Sequence, residues 1–407
     1  MFTLREILSV VKGSRVTGRG SRVIKGVSTD TRTIKPGELF IPLVGEKFDG
    51  RKFIPEALRR GASVLEVKDG LKALQALAAY HRSKFRIPII GITGSVGKTT
   101  TKDMLASILS QEMKTLKNEE NFNNEIGVPL TLLKLTRKHK AAVIEMAMQR
   151  LGEIEELAKI VKPTIALITN IGEAHLEFLK TKRNVARAKA EIFKFLRKEH
   201  FAVINQDDEY FEHLLSRVAG RGPRVVTFGI IEKADITTKD LKGIKLPIPG
   251  EHNVYNALAA IAAAKILKIK KASIKKGLER FKPSRQRMEI INRTDWIKII
   301  NDSYNANPQS MAAALRTLAS LEGRKIAVLG EMLELGKSAV SAHRRILKLT
   351  NELKIDKTYL FGRLWPKSYR SKTLLIKNLK KIIRPRDIIL VKGSRGTKME
   401  EVVEALK

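Results

Sequence analysis

Gly91-Ile92-Thr93-Gly94-Ser95-Val96-Gly97-Lys98-Thr99-Thr100-Thr101 is the most informative segment of this chain. It follows the apolar run Ile87-Pro88-Ile89-Ile90 and precedes residues 102–109, whose apolar spacing predicts a helix. Strand, glycine-rich loop and helix together form the context in which such a loop binds phosphate. The glycines let backbone N–H groups surround phosphate oxygens, and the N-terminus of the helix favours an anion. The stretch therefore predicts an ATP-binding α/β domain.

Two side chains of this loop suit nucleotide chemistry directly. Lys98 can reach the terminal phosphates, and the hydroxyl of Thr99 can bind Mg²⁺. The strict motif has glycine five residues before Gly97, where this chain has Ile92. The alternative is a tight strand-to-helix turn without a ligand. We predict the following nucleotide-binding set: Gly94, Ser95, Gly97, Lys98, Thr99 and Thr100.

The composition is strongly basic, with 78 Lys and Arg against 42 Asp and Glu and a net charge of +36. Such a charge suggests nucleic-acid binding through phosphate neutralisation. The basic residues are spread along the whole chain, however, and no nucleic-acid-binding motif is present. We favour a lysine-rich surface and expect no nucleic-acid partner, although an anionic small substrate would benefit from the field.

The absence of cysteine excludes disulfides and thiolate chemistry, so any metal needs oxygen and nitrogen ligands. The longest run of small apolar residues, 257–264, is too short to cross a membrane. The N-terminal residues lack the long apolar segment of a secretion signal. We therefore expect a cytoplasmic protein without membrane insertion.

At 407 residues the chain exceeds one hydrophobic core, and its patterning changes twice. We predict three α/β domains: a small one at 1–85, a central mostly parallel sheet of the P-loop ATPase type at 86–283, and a Rossmann-like domain at 284–407. The predicted strands are 21–27, 38–44, 63–67, 141–146, 164–169, 201–205, 297–301, 326–329, 358–361 and 387–391. The predicted helices are 55–61, 71–82, 184–197, 253–267, 309–320 and 339–353.

Two polar residues come directly after predicted central strands. Glu145 ends one strand and His175 follows the next. Because ligands bind beyond the carboxyl ends of parallel strands, both side chains are expected at the edge where the glycine loop opens. Glu145 could complete a Mg²⁺ shell with Thr99. Taken singly, Glu145 could be a turn residue, and His175 could form only local hydrogen bonds.

Other polar residues open helices. Lys189 lies among small residues of the predicted helix 184–197, where a solvated lysine is the default interpretation. His252, Asn253 and Asn256 could cap the alanine-rich helix or reach a nucleotide base. Residues 301–308 form a dense polar cluster, although Asn307 before Pro308 also suits an ordinary helix N-cap.

Read together, these segments resemble the Mur ligase family of bacterial cell-wall enzymes over nearly the whole chain. The resemblance rests on the order and spacing of several motifs and, within the family, favours the member that adds D-alanyl-D-alanine. The Asp-Asn-Pro-Arg sequence of the diaminopimelate-adding member is absent. The motifs lie at 28–32, 40–45, 49–50, 91–101, 121–129, 169–175, 250–253, 301–308, 328–332 and 392–396.

The resemblance implies that the first domain holds a UDP-N-acetylmuramoyl-tripeptide, the second holds ATP, and the third helps to hold D-alanyl-D-alanine. A monomer is expected. Lys189 matches a lysine that family members carbamylate, which would turn a cation into an anion able to bind Mg²⁺. Two Mg²⁺ ions are implied.

The resemblance also assigns roles to particular residues. The catalytic residues are Lys98, Glu145, His175, Lys189 and Arg287. The metal ligands are Thr99, Glu145, His175 and Lys189. His252, Asn253 and Asn256 join the ATP site on its adenine side, and Arg287 and Asp302 at its phosphates and ribose. The substrate residues are Ser28, Asp30, Arg32, Asn121, Asn124, Tyr304, Asn305 and Asn307.

The implied reaction activates a carboxylate as an acyl phosphate, which an amine then attacks; Lys98, Arg287 and Mg²⁺ would stabilise the charge that develops. The chain departs from the family at Arg51, where histidine is common, and at Ala147, where glycine is usual. Two alternatives stay open. One is another amide ligase of the superfamily, such as another muramoyl-peptide or folate-polyglutamate ligase, and the other is a nucleic-acid-binding ATPase.

Overall fold

The computed structural model describes residues 1–18, 23–46, 48–220, 222–231 and 233–407. Its strands and helices alternate along the chain and form three successive α/β regions, which confirms the predicted fold class. Within this part of the chain, no helix has both the length and the apolar composition needed to span a bilayer.

The N-terminal region is built from short strands. Its elements are β1 (Phe2–Thr3), β2 (Arg15–Thr17), β3 (Val23–Ile24), β4 (Val27–Ser28), β5 (Leu39–Phe40), β6 (Val44–Gly45), β7 (Phe48–Asp49), β8 (Ser63–Glu66), α1 (Leu4–Val10), α2 (Ile54–Arg59), α3 (Gly70–Ser83) and the 3-10 turn Gly50–Phe53. A four-stranded mixed sheet has the order β2-β8-β5-β4. The predicted strand 21–27 is wrong as one unit: residues 21 and 22 lie outside the described residues, and the rest divides because β3 pairs with β1 and β4 with β5.

Helix α3 joins this region to the next one. Leu74 and Leu77 are fully buried in the same apolar cluster as Leu132 of the central region. Nε of Arg82 donates to the carbonyl of Val161 at 3.0 Å, and Nε2 of His81 lies 2.9 Å from the carbonyl oxygen of Leu135. The first two regions therefore share one core.

The central region contains six parallel strands. Its elements are β9 (Ile89–Thr93), β10 (Thr115–Lys117), β11 (Ala141–Glu145), β12 (Ile165–Ile168), β13 (Phe201–Asn205), β14 (Arg224–Phe228), α4 (Lys98–Leu109), α5 (Gly127–Leu132), α6 (Glu153–Val161), α7 (Leu176–Leu179), α8 (Lys182–Ala190), α9 (Phe211–Ala219), α10 (Glu251–Ile266), α11 (Lys271–Glu279) and the 3-10 turns Glu191–Phe195 and Thr238–Leu241. The sheet order is β10-β11-β9-β12-β13-β14. The chain leaves β9 toward one side and returns with β12 on the other, so the glycine loop lies at the switch point where ligands bind in such sheets.

The predicted helix 184–197 is too long. The α-helix ends at Ala190 and a 3-10 turn follows. The reason is tertiary: the buried carboxylate of Glu191 accepts hydrogen bonds from the backbone N–H groups of Gly152 at 2.8 Å and Glu155 at 3.2 Å. These bonds tie the chain to the start of α6, and periodicity along the helix contains no information about that contact.

The C-terminal region is a second mostly parallel sheet. Its elements are β15 (Glu289–Asn292), β16 (Lys298–Asp302), β17 (Lys325–Leu329), β18 (Lys357–Leu360), β19 (Ile388–Lys392), α12 (Pro308–Ala319), α13 (Ala339–Glu352), α14 (Lys372–Lys380), α15 (Glu400–Leu406) and the 3-10 turns Gly336–Ser338 and Arg395–Thr397. The order is β15-β16-β19-β17-β18, and only the edge strand β15 is antiparallel. The predicted Rossmann-like sheet is confirmed.

Helix α11 packs on α4, the helix that begins at the glycine loop. A Cβ at Gly277 would lie 2.4 Å from Cα and 2.7 Å from N of Ile108, which is backbone and cannot move aside alone. The hydroxyl of Ser107 also donates to the carbonyl of Gly277 at 2.7 Å. This contact sets the spacing of the two helices.

We expect Gly277→Ala to lower the free energy of unfolding by about 1–3 kcal/mol, the usual cost of overpacking a close contact. Urea titration followed by circular dichroism measures the change. Gly220→Ala is the matched control, because a Cβ there meets nothing within 4 Å and Gly220 has a negative φ. Equal stability of the Gly277 variant and wild type would contradict the packing argument.

Candidate active site

The glycine loop after β9 requires its two inner glycines. Gly94 and Gly97 have φ values of 152° and 84°. A Cβ at Gly94 would lie 1.9 Å from Oγ1 of Thr169, and one at Gly97 would lie 2.0 Å from Oδ1 of Asn256. Side chains are therefore excluded at both positions, and the loop backbone is held close to its neighbours.

The segment after β12 braces the loop. The N–H of Ser95 donates to the carbonyl of Asn170 at 3.0 Å, and the N–H of Val96 donates to the side-chain oxygen of Asn170 at 3.0 Å. The hydroxyl of Thr169 donates to the carbonyl of Val96 at 2.6 Å, and Oγ of Ser95 accepts from the N–H of Gly172 at 2.8 Å. The predicted nucleotide residue Ser95 thus also holds the loop in shape.

Lys98 begins α4 and folds back over the loop. Its Nζ donates to the carbonyl of Gly94 at 2.8 Å. Burial lowers the pKa of Lys98, Glu145 raises it, and Arg287 lowers it further. Three predicted catalytic residues therefore act on one another here. Thr99 is buried and Thr100 is half-buried on the next positions of the helix.

Glu145 lies at the end of β11 and is nearly inaccessible to solvent. Its Oε1 accepts from Nδ2 of Asn123 at 2.9 Å, and its Oε2 lies 3.9 Å from Nζ of the buried Lys102. Asn118 brackets its backbone, accepting from the N–H of Glu145 and donating to its carbonyl, each at 2.9 Å. This carboxylate is built into the site and is not a turn residue.

Sequence reasoning missed Lys102, Asn118 and Asn123 as neighbours of Glu145. Lys102 follows the loop threonines on a helix, where a lysine is usually solvated, yet it is 1% exposed. The asparagine-rich run 121–124 was the available indication for Asn123. The sequence around Asn118 has no comparable pattern, so its contact with Glu145 is visible only in the folded chain.

His175 occupies the N-cap position of the short helix α7 and has a φ of 54°. Its Nδ1 lies 2.7 Å from Oε2 of Glu334, a residue of the C-terminal region that sequence reasoning did not select. Burial lowers the pKa of His175, Glu334 opposes this, and the charges of Lys189 and Lys98 lower it further. His175 therefore lies near the two lysines of the site.

Lys189 is 2% exposed, so the default interpretation of a solvated lysine is wrong. Its side chain forms no hydrogen bond or ion pair with the rest of the described chain. Burial first, and then the charge of Lys98, lowers the pKa of Lys189 well below its ordinary value. The site thus contains a buried amine whose charged form is disfavoured by its surroundings.

Arg287 and Tyr304 reach the site from the C-terminal side. The guanidinium carbon of Arg287 lies 3.9 Å from the ring centroid of Tyr304, and the Tyr304 hydroxyl donates to Oδ1 of Asn121 in the central region. Nε of Arg287 is buried without a hydrogen-bond partner among the described residues. An orphaned guanidinium N–H beside a phosphate-binding loop suits an anionic ligand.

His252, at the start of α10, lies within the electrostatic reach of Asp302 and Lys392 of the C-terminal region. Asp302 forms an ion pair with Nζ of the buried Lys392 at 2.5 Å. Burial lowers the pKa of His252 to about 4, with Asp302 opposing and Lys392 adding to the effect. A cleft of about 910 Å³ lies beside the loop here; its lining includes Val96, Asn170, Asp207, His252, Tyr255 and Asn256.

Asn253 and Asn256 are buried at the start of α10. Nδ2 of Asn256 donates to Oδ1 of Asn253 at 3.1 Å, and the Thr101 hydroxyl donates to Oδ1 of Asn256 at 3.3 Å. The pair therefore ties α10 to α4. Sequence reasoning missed Asp207 and Tyr255, whose hydroxyl donates to Oδ2 of Asp207 at 2.9 Å.

The other predicted substrate residues form contacts within their own regions. Asp30 pairs with Arg32 at 2.7 Å and donates its backbone N–H to Oγ of Ser28 in a local turn. Oδ1 of Asn124 accepts from the N–H of Gly127 at 2.9 Å. Asn305 accepts Lys392 at 2.9 Å through its carbonyl, and Asn307 is the N-cap of α12.

Both positions where the chain departs from the family form local contacts. Arg51 forms an ion pair with Asp49 at 2.8 Å, and this pair lowers the pKa of Asp49 to about 2. The N–H of Ala147 donates to the carbonyl of Asn123 at 2.8 Å.

Metal binding needs more than the conventional side chains. The described residues contain no group of three or more His, Asp or Glu side chains that could hold an ion. Glu145 and His175 both lie within the electrostatic reach of Lys98. A further ligand would have to come from the hydroxyl of Thr99, a modified Lys189 or a bound phosphate, and the charges of Lys98 and Lys189 both act on this site.

Solved structures resemble this arrangement. A crystal structure of MurF from Acinetobacter baumannii is 32% identical, with a TM-score of 0.92, and the alignment covers 100% of this chain and 98% of that one. The MurF ligase from Thermotoga maritima in complex with ADP is 27% identical, with a TM-score of 0.83 and coverage of 93% and 96%.

Relatives found by sequence comparison belong to the same group of ligases as these solved structures. The UDP-N-acetylmuramoyl-tripeptide--D-alanyl-D-alanine ligase of Bacillus subtilis (strain 168) is 36% identical over 99% of this chain and 98% of its own length. Residues 23–91 match the model of the Mur ligase family catalytic domain, 92–264 the Mur ligase middle domain, and 286–395 the Mur ligase glutamate ligase domain. These matches follow one another from residue 23 to residue 395 and agree with the geometry around the loop; the chain belongs to the Mur ligase family.

Proposed function

We propose that this protein is an ATP-dependent amide ligase that joins D-alanyl-D-alanine to UDP-N-acetylmuramoyl-tripeptide and so forms the pentapeptide precursor of peptidoglycan. The single observation on which this depends is that Lys98, Glu145, His175, Lys189 and Arg287 act on one another around the phosphate-binding loop. Full-length relatives with this named activity support the choice of substrates.

The first step transfers the terminal phosphoryl group of ATP to the substrate carboxylate. A carboxylate oxygen attacks phosphorus, the bond to the bridging oxygen breaks, and ADP leaves. Lys98 and Arg287 stabilise the charge on the transferred group, because both cations lie in a buried site where electrostatic interactions are strong.

The second step forms the amide. The amine of D-alanyl-D-alanine attacks the acyl carbon, the bond to the phosphate oxygen breaks, and the amine loses a proton as inorganic phosphate leaves. Acyl phosphates hydrolyse readily, so water must be kept out. The hydrogen bond from Tyr304 to Asn121 joins the C-terminal region to the central one beside the site, and such contact supports a role for the C-terminal region in excluding water.

Mg²⁺ would neutralise phosphate charge when bound. Thr99, Glu145, His175 and a carbamylated Lys189 would hold two ions. A neutral amine is the form that attacks CO₂ and then loses a proton to give a carbamate. The lowered pKa of Lys189 therefore supports the modification.

The acceptor distinguishes this function from the other amide ligases. We expect phosphate release to require the UDP-muramoyl tripeptide and D-alanyl-D-alanine together, and a mass spectrum of the product to show the pentapeptide. Release that depends instead on a single amino acid or on folate would contradict the proposal. Salt-dependent titration with DNA and RNA tests the remaining alternative, which tight binding with stimulated ATP hydrolysis would favour.

Lys98→Ala should lower kcat for D-alanyl-D-alanine-dependent phosphate release by about 10²–10³-fold, the range found when one electrostatic contact to a transition state is removed. Steady-state kinetics with a coupled phosphate assay measures it. Lys159→Ala, on the exposed face of α6, is the control and should leave kcat unchanged. A loss of equal size in both variants would count against the role of Lys98.

Lys189→Ala should abolish the carbamate resonance that we expect in the ¹³C NMR spectrum of wild-type protein equilibrated with ¹³C-bicarbonate. It should also reduce activity, and short carboxylates such as acetate should partly restore it by supplying the missing anion. Lys159→Ala should keep both the resonance and the activity. A fully active Lys189→Ala enzyme would refute the metal-site role.

A further inference from the structure

We propose that Glu334 is a positioning residue for His175: its carboxylate fixes the proton on Nδ1 of the imidazole and so presents Nε2 to the active site. The observation is the 2.7 Å contact between Nδ1 of His175 and Oε2 of Glu334, which joins the central and C-terminal regions. The proposal deepens the proposed function, because it rests on His175 being a ligand in that site.

Hydrogen-bond chemistry decides which ring nitrogen is protonated. An ionised carboxylate only accepts hydrogen bonds, so Nδ1 must donate. In a neutral imidazole this leaves Nε2 with its lone pair free. Nε2 forms no hydrogen bond with any other residue that the structure describes. A carboxylate behind a histidine is the usual arrangement that orients the ring and sets its tautomer for metal binding.

The loop that presents Glu334 is held from two sides. The N–H of Met332 donates to Nε2 of the fully buried His343 at 3.1 Å, and Nδ1 of His343 donates to the carbonyl of Ala339 at 2.7 Å. The N–H of Leu333 donates to Oγ of Ser394 at 2.9 Å. These contacts leave Glu334 on a rigid support, as a positioning residue requires.

Backbone contacts strengthen the joint between the two regions. The N–H of Glu177 donates to the carbonyl of Glu334 at 3.1 Å, and a Cβ at Gly336 would lie 3.1 Å from Cα of Glu177. His175 and Glu334 both have left-handed φ angles, 54° and 61°. Such angles are uncommon for residues other than glycine and need surrounding structure to hold them.

A functional consequence follows from where Glu334 lies in the chain. The carboxylate belongs to the C-terminal region, whereas the histidine belongs to the central one. His175 is therefore oriented only when the two regions are in contact here. The orientation of this metal ligand thus depends on contact between the central and C-terminal regions.

The wild-type protein itself gives the first test. Long-range ¹H–¹⁵N NMR of the nucleotide-free protein distinguishes Nδ1–H from Nε2–H, and His175→Asn assigns the resonance among the seven histidines. We expect a single Nδ1–H tautomer for His175. A ring protonated on Nε2 would overturn the proposal without any Glu334 variant.

Glu334→Ala should release the ring into a mixture of tautomers. It should also weaken Mn²⁺ binding by about 10-fold or more, the usual effect of losing such a partner. Electron paramagnetic resonance measures the Mn²⁺ affinity. The concentration of Mg²⁺ needed for half-maximal kcat should rise by a similar factor, while KM for ATP changes less. Glu334→Gln should partly restore the single tautomer, the Mn²⁺ affinity and the Mg²⁺ requirement, because its amide oxygen can still accept a hydrogen bond from Nδ1.

The matched control is Glu177→Ala, an exposed glutamate two residues from His175. It should retain the wild-type tautomer and Mn²⁺ affinity, and similar losses in this variant would overturn the proposal. So would an unchanged tautomer in Glu334→Ala. If His175→Asn binds Mn²⁺ as wild type does, the metal role in the proposed function fails, whereas the tautomer spectrum judges Glu334 independently.

Discussion

The close approach of Gly97 to Asn256 is the constraint on which the site depends. With only 2.0 Å between a hypothetical Cβ and Oδ1, the loop backbone is held against α10 as well as against the segment after β12. Its N–H groups are therefore arranged before any ligand arrives. Preorganised dipoles of this kind lower the cost of binding and stabilising phosphate charge, because they need no reorganisation during the reaction.

This arrangement places like charges together. Lys98 lowers the pKa of Lys189, and Arg287 lowers the pKa of Lys98, while the carboxylate of Glu145 raises the pKa of Lys98. An excess of buried positive charge is unfavourable in the folded protein alone and is offset when polyphosphate binds. A neutral or carbamylated Lys189 reduces the same excess, so the electrostatics of the site and the proposed modification agree.

Contacts between the regions complete the site from several directions. The hydroxyl of Ser284, between α11 and β15, donates to Oδ2 of Asp103 on α4 at 2.8 Å. Tyr304 contacts Asn121, and Glu334 contacts His175. Residues that follow α11, β16 and β17 thus contact residues of the central region that lie 159 to 183 positions earlier in the chain. The C-terminal region therefore contributes residues to the site as well as bounding it.

Local patterns alone predict the loop, its place between strand and helix, and the arrival of Glu145 and His175 at one sheet edge, because period-2 and period-3.6 patterns and strand ends are local properties. The burial of Lys102 and Lys189, and the contacts of Asn123 with Glu145 and of Glu334 with His175, come from packing. A lysine or glutamate on a helix or loop has the same local pattern whether it faces water or another domain. Burial and pairing across 159 residues depend on packing, which periodicity along the chain does not describe.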